Sequence, residues 1–237
     1  MARDRYLILM AAGSGTRMGV DLPKQFIELN GKAVLHRTIE RFVDQINDIK
    51  IITVLPEAYI DWWKDYCYRR NLFYTQILVK GGITRFHSVK NALEKVPSGA
   101  LVAIHDGVRP FVSAKLVEAL YKEAEISDAA IPVTPCVDTM KALKKIDGPD
   151  GHKILVPMDS KIIDREHLFG AQTPQVFKSE LIKNAYELPY DPSFTDDASV
   201  AQAKGINLSY LMGERFNIKL TSKDDLILAQ ALLSVSF

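Results

Sequence analysis

Five short apolar runs, separated by stretches long enough to be helices, limit this chain to very few folds. Leu7–Ala12, Ile51–Leu55, Thr75–Val79, Leu101–His105 and Ala129–Val133 read as buried strands. Between them, Val34–Val43, Tyr59–Arg70, Thr84–Lys95 and Ser113–Glu125 carry apolar residues at helical spacing. A strand followed by a crossover helix returns the chain to the same end of the sheet, so successive strands run parallel. The expectation is an α/β fold: a doubly wound, mostly parallel sheet with helices on both faces.

The alternation stops between about residues 134 and 164. There two extended segments flank Asp147-Gly148-Pro149-Asp150-Gly151, a turn composition that predicts a β-hairpin. Its faces are too polar to form a core alone. Such an arm either packs on another subunit or is a surface excursion. Helical pattern returns at Ser179–Glu187 and Asp196–Lys204, then a strand at Asn207–Leu211 and a last helix from Ser222. Ser113 and Ser222 are the expected N-caps, the latter with Asp225 as capping-box partner.

The 237 residues are 47% hydrophobic and 25% charged, enough for a real core, and residues 1–237 read as one domain. A net charge of +1 leaves no electrostatic footprint for nucleic acid. No apolar stretch approaches the ~20 residues of a membrane span, and the apolar run at the start of the chain is too short for a signal peptide. Cys67 and Cys136 stand far apart with no Cys or His cluster nearby, as in a reduced, cytoplasmic protein. Any phosphate must therefore be bound by local groups.

Those groups follow the first strand, in Ala11-Ala12-Gly13-Ser14-Gly15-Thr16-Arg17-Met18-Gly19. Glycines at 13 and 15 let backbone N–H groups close around an anion, and Arg17 and Lys24 add positive charge. A dinucleotide fingerprint and a P-loop both require glycine where this chain has Met18. The pattern A-A-G-x-G-x-R-M…P-K instead resembles the nucleotidyltransferases that activate sugars, with their Rossmann-like fold. In that chemistry a phosphate oxygen attacks the α-phosphorus of a nucleoside triphosphate and pyrophosphate leaves in line. Positioning and charge stabilisation carry the rate. No general base is needed, because a phosphate monoester with a second pKa of about 6 is already largely dianionic.

Further motifs occur in order: Pro23-Lys24-Gln25-Phe26, Gly81-Gly82-Ile83-Thr84-Arg85-Phe86-His87-Ser88-Val89, His105-Asp106-Gly107-Val108-Arg109-Pro110-Phe111, Val137-Asp138-Thr139-Met140-Lys141, Thr173-Pro174-Gln175, Thr195-Asp196-Asp197-Ala198 and Asn217-Ile218-Lys219-Leu220-Thr221. From Leu7 to about Leu233 the series resembles the 2-C-methyl-D-erythritol 4-phosphate cytidylyltransferases. The resemblance implies that Arg17 and Lys24 stabilise the transition state on CTP together with the backbone of Ala11, Ala12, Gly13, Ser14 and Gly15. It puts Gly82 and Ser88 in the base and ribose pocket. Asp106 faces the ribose and polyol and helps hold Mg²⁺ or another divalent cation, which rides mostly on the phosphates. Arg109 organises the loop beside the substrate. Thr173, Thr195 and Lys219 bind the methylerythritol phosphate. Thr139 and Arg165, on the arm of a homodimer, complete the partner's site, where Arg165 and Lys219 orient the attacking phosphate.

Two positions depart from the family pattern: Met10 replaces a frequent proline, and Phe216 stands where many members carry an acid. His105 reads as a structural histidine, and Trp62 and Trp63 as helix packing. Without hexapeptide repeats or a long extension past Leu233, the expectation is a monofunctional enzyme. Three alternatives stay open: a ribitol 5-phosphate cytidylyltransferase, an NAD-dependent oxidoreductase and a catalytically idle nucleotide binder.

Overall fold

In the computed structural model, residues 3–13, 22–158 and 164–234 are described. The strands are β1 (Arg5–Met10), β2 (Glu28–Leu29), β3 (Lys32–Ala33), β4 (Lys50–Leu55), β5 (Gln76–Lys80), β6 (Leu101–Asp106), β7 (Ala129–Pro135), β8 (Leu143–Asp147), β9 (Lys153–Pro157), β10 (Phe169–Ala171), β11 (Gln175–Lys178) and β12 (Ser209–Met212). The helices are α1 (Val34–Val43), α2 (Ile60–Arg69), α3 (Arg85–Leu93), α4 (Ala114–Ile126), α5 (Ser179–Ala185), α6 (Asp197–Ala203) and α7 (Lys223–Ser234).

The main sheet has the order β10-β7-β11-β6-β1-β4-β5, with β12 on the opposite edge of β7 from β10 and β11. β6, β1, β4 and β5 run parallel, as the crossover helices require. β10 and β11 are antiparallel insertions. The sheet is doubly wound: Leu7 and Leu9 of β1 face a core shared with α1, α2 and α4, whereas Tyr6 and Ile8 face one shared with α3, α5 and α6. Alternate residues of one strand therefore serve opposite layers. Fully burying each such aliphatic side chain contributes ~1.5–3 kcal/mol. Trp63 is fully buried and, with Trp62, packs on Phe26 and Tyr66.

Both expected caps form. Ser113 Oγ accepts the Leu116 N–H at the start of α4. Ser222 Oγ accepts the Asp225 N–H while Asp225 Oδ2 accepts the Ser222 N–H, closing a capping box on α7. Among the described residues, β8 and β9 pair only with each other. Their register pairs Leu143 with Pro157 and Asp147 with Lys153, and nine of their ten residues are exposed. Among the described residues, no helix is long and apolar enough to cross a membrane.

Candidate active site

The C-terminal ends of β1, β5 and β6 converge on a cavity of about 440 Å³, the edge at which open α/β sheets place their ligands. Its first wall is Met10–Gly13 leaving β1, backed by Lys24 and Gln25. Gln25 is buried and its Nε2 donates to Ala11 O at 2.7 Å and Gly13 O at 3.0 Å. Those two bonds set the path of the chain as it enters the glycine loop. Ser14, Gly15 and Arg17 lie outside the described residues.

The second wall is the turn from β5 into α3. Gly82 N–H donates to Ser88 Oγ at 2.9 Å, and Ser88 Oγ donates to Thr84 O at 2.9 Å. A Cβ on Gly82 would stand 2.6 Å from His87 Cβ and 2.9 Å from its carbonyl carbon, so only glycine lets the turn lie against the helix. Arg85 lines the same wall.

Asp106, buried at the end of β6, sits at the centre. Its Oδ2 accepts Lys219 Nζ at 3.0 Å and Arg109 Nε at 3.1 Å. Burial by itself would raise this carboxyl, but the Lys219 ammonium and the Arg85 and Arg109 guanidiniums outweigh it and hold the group well below the usual carboxylate range. The carboxylate is ionised throughout the neutral range.

The loop carrying Lys219 is tied down from several sides. Arg109 Nη1 donates to Asn217 O at 2.7 Å, so one guanidinium links Asp106 to this loop. Asn217 Nδ2 donates to Thr173 O at 2.8 Å, and Leu220 N–H to Val108 O at 3.0 Å. Gln172 exchanges bonds with the backbone of Glu214, whose carboxylate in turn accepts Ser113 N–H and Oγ–H. Phe216 is half exposed in this loop.

Thr173 is buried beside the site, its hydroxyl committed to a relay. Asp106 N–H donates to Thr173 Oγ1 at 3.0 Å. Thr173 Oγ1 lies 3.0 Å from His105 Nδ1, and His105 Nε2 lies 3.1 Å from Arg109 O. A carbonyl only accepts, so Nε2 carries the proton and Nδ1 takes the threonine's. Burial pushes the His105 imidazole down to about 4, which keeps it neutral and the relay intact. His105 is thus a fully buried structural histidine.

The remaining candidates are more distant. Thr195 is exposed just before the N-cap of α6 and does not line the cavity. Thr139 and Arg165 are both exposed. Arg165 Nη1 donates to Val137 O at 3.2 Å, so the two lie together at the base of the hairpin, and neither lines the cavity. The sequence motifs contained Gln25, Arg85 and Asp197 without assigning them roles. Only the fold shows that Gln25 supports the loop and that Arg85 and Asp197 form an ion pair at the cavity wall.

Among the described residues, no group of three or more His, Cys, Asp or Glu side chains is arranged to hold a metal. Of the described residues lining the cavity, Asp106 alone is acidic. This donor set fits a divalent cation held mainly by phosphate oxygens. Asp106 would meet it through Oδ1, because both cationic side chains address Oδ2.

The IspD family model, described as 2-C-methyl-D-erythritol 4-phosphate cytidylyltransferase, matches residues 6–235. The chain belongs to this family. A cytidylyltransferase of that name from Phocaeicola vulgatus is 43% identical over 230 residues, covering 97% of this chain and all of the relative. The Anaerococcus prevotii 4-diphosphocytidyl-2C-methyl-D-erythritol synthase structure superposes with a TM-score of 0.76 at 30% identity, covering 98% of this chain and 97% of that one. The Thermus thermophilus cytidylyltransferase structure gives a TM-score of 0.69 at 30% identity, covering 99% and 100%. The matched span runs from before the glycine loop to beyond Lys219.

Proposed function

We propose that this protein transfers CMP from CTP to 2-C-methyl-D-erythritol 4-phosphate, giving 4-diphosphocytidyl-2-C-methyl-D-erythritol and pyrophosphate. The observation that carries this is a cavity combining the loop after β1, Lys24, Lys219 and Asp106 in a chain of that family. Relatives of 38–43% identity with the methylerythritol name favour it over ribitol 5-phosphate transfer, hydride transfer and idle nucleotide binding.

The loop backbone, Arg17 and Lys24 hold the triphosphate. Gly82, Ser88 and the adjoining main chain take the base and ribose. Lys219, standing over Asp106, orients the incoming monoester with Arg165, Thr195 adds a contact to the methylerythritol phosphate, and Arg109 holds the loop that carries Lys219. Thr173 holds the Asp106 backbone where the polyol arrives. The dianionic monoester attacks the α-phosphorus directly and pyrophosphate departs on the opposite side. Mg²⁺, when bound, offsets the charge that collects on the triphosphate.

The working form is a homodimer. Its support is the hairpin, which leaves Leu143, Ile146, Ile154 and Leu155 exposed. A two-stranded ribbon is at best marginally stable alone in water. Thr139 and Arg165 at the base of this arm would reach the partner's cavity, which their absence from their own cavity's lining supports. Both cysteines are free, which fits a reducing cytoplasm.

The deciding assay is pyrophosphate release with CTP and Mg²⁺, adding methylerythritol 4-phosphate or ribitol 5-phosphate in parallel. Release that depends on the methylerythritol ester is expected. Release with the ribitol ester alone, or with neither, overturns the reading.

A further inference from the structure

Arg85 combines two properties. It lines the nucleotide cavity, and its guanidinium is clamped by a carboxylate that solvent does not reach. Nη1 and Nη2 donate to Asp197 Oδ1 and Oδ2 at 2.7 and 2.6 Å, and Asp197 is fully buried. Tyr186 Oη donates to Asp197 Oδ1 at 2.6 Å. The Tyr186 ring stacks on Phe86, with centroids 4.7 Å apart. Asp197 is the first residue of α6, behind the Asp196 cap, and Tyr186 directly follows α5. Three helices therefore fix one guanidinium.

Replacing a buried ion pair with packed apolar residues is often neutral or stabilising, so the pair is poorly explained as a source of stability. Its geometry has another use. A guanidinium has five N–H groups in a rigid fork. The bonds to Asp197 engage two of them, and the Arg85 side chain stays 32% exposed at the cavity wall. Arg85 follows the Gly82–Thr84 turn and lies one helical turn before Ser88, on the wall given to the nucleoside. The nearest anionic group of a nucleotide seated there is the phosphoryl next to the ribose, the one at which substitution occurs.

We propose that Arg85 donates to an oxygen of the reacting cytidylyl phosphoryl group, and that Asp197 and Tyr186 are positioning residues that aim it. This rests on the cytidylyl transfer proposed above. Lys24 and Lys219 are flexible point charges, whereas the clamped Arg85 is oriented before substrate arrives. That arrangement stabilises charge developing on the phosphoryl oxygens without reorganisation.

The test is a double-variant cycle in the full-length protein, following pyrophosphate release with CTP, Mg²⁺ and methylerythritol 4-phosphate, with thermal unfolding in parallel. Arg85→Gln should lower kcat by about 10²-fold, with Arg85→Lys falling between it and the wild type. Tyr186→Phe, which removes one hydrogen bond to Asp197, should lower kcat by about fivefold with little change in the KM for methylerythritol phosphate. If Tyr186 acts through Arg85, Tyr186→Phe should cost nothing further in the Arg85→Gln protein. Losses that multiply overturn the positioning role, and a kcat within threefold of wild type in Arg85→Gln overturns the contact. Should Arg85→Gln fail to fold, Tyr186→Phe decides alone, and an unchanged kcat overturns the proposal. Wild-type protein that releases no pyrophosphate removes the underlying reaction and this inference with it, an outcome distinct from an active wild type with active variants.

Discussion

At the scale of single residues the site is a small set of opposed charges held by neutral groups. Lys24 lines the cavity together with Met10–Gly13. Removing its charge should cut turnover by ~10²–10³-fold, as measured by steady-state pyrophosphate release from Lys24→Ala. The same reasoning extends to Arg17→Ala. His105 is fully buried and does not line the cavity, yet it has a pH signature. An unfolded chain keeps the imidazole at 6.5 while the fold holds it at about 4. Between those values the unfolded state binds a proton that the folded state refuses. The stability contributed by neutral His105 is therefore complete above pH 6.5 and is lost as pH falls toward 4, by ~3 kcal/mol. Urea midpoints from pH 7 to 4 should fall less steeply in His105→Gln than in the wild type. An equal slope would move the effect elsewhere. Lys24 was legible as a positive charge following the glycine loop, whereas Asp106 and Lys219 were legible only through the resemblance carried by the ordered motifs. The roles of Gln25 and Asp197 were not legible, since a buried amide and a buried carboxylate acquire meaning only from what lies across the fold.

At the scale of elements, the alternation of strand and helix was legible, and every strand and helix expected from it ends within two residues of the observed one. The antiparallel insertions were not. β10 has three residues and β11 four, too few for a period to declare itself. Yet β11 lies between β6 and β7 at the middle of the sheet and delivers Thr173 to the end of β6. The join of β5 to α3 is a second place where an element rests on one residue. Gly82→Ala would drive a methyl group into the first turn of α3, at an overpacking cost of ~1–3 kcal/mol. Its expected result is a lower melting temperature with weakened CTP binding in titration calorimetry. Wild-type affinity would mean that the turn relaxes without disturbing Ser88.

At the scale of the whole molecule, the hairpin is the part whose packing this one chain leaves unexplained. Its place, between about residues 134 and 164, was legible from a break in pattern. Its partner was not, because exposed apolar residues record the need for a contact and not its identity. If the arm completes a neighbouring site, mixing inactive Arg165→Ala and Lys24→Ala proteins should restore activity. Each hybrid dimer would hold one intact site, so random exchange recovers about a quarter of the wild-type rate. Absence of recovery after verified subunit exchange would return Arg165 to the surface of its own chain.

The β8–β9 ribbon also bears on how the protein's own concentration enters its chemistry. A site assembled from two chains is a bimolecular product, so under this proposal specific activity is not a constant of the protein. It should hold steady while association is saturated and then fall on dilution, with substrates that bridge both chains shifting the onset lower. The catalyst would thus be a reactant in its own assembly, and the amount of protein made would set the fraction of it able to work.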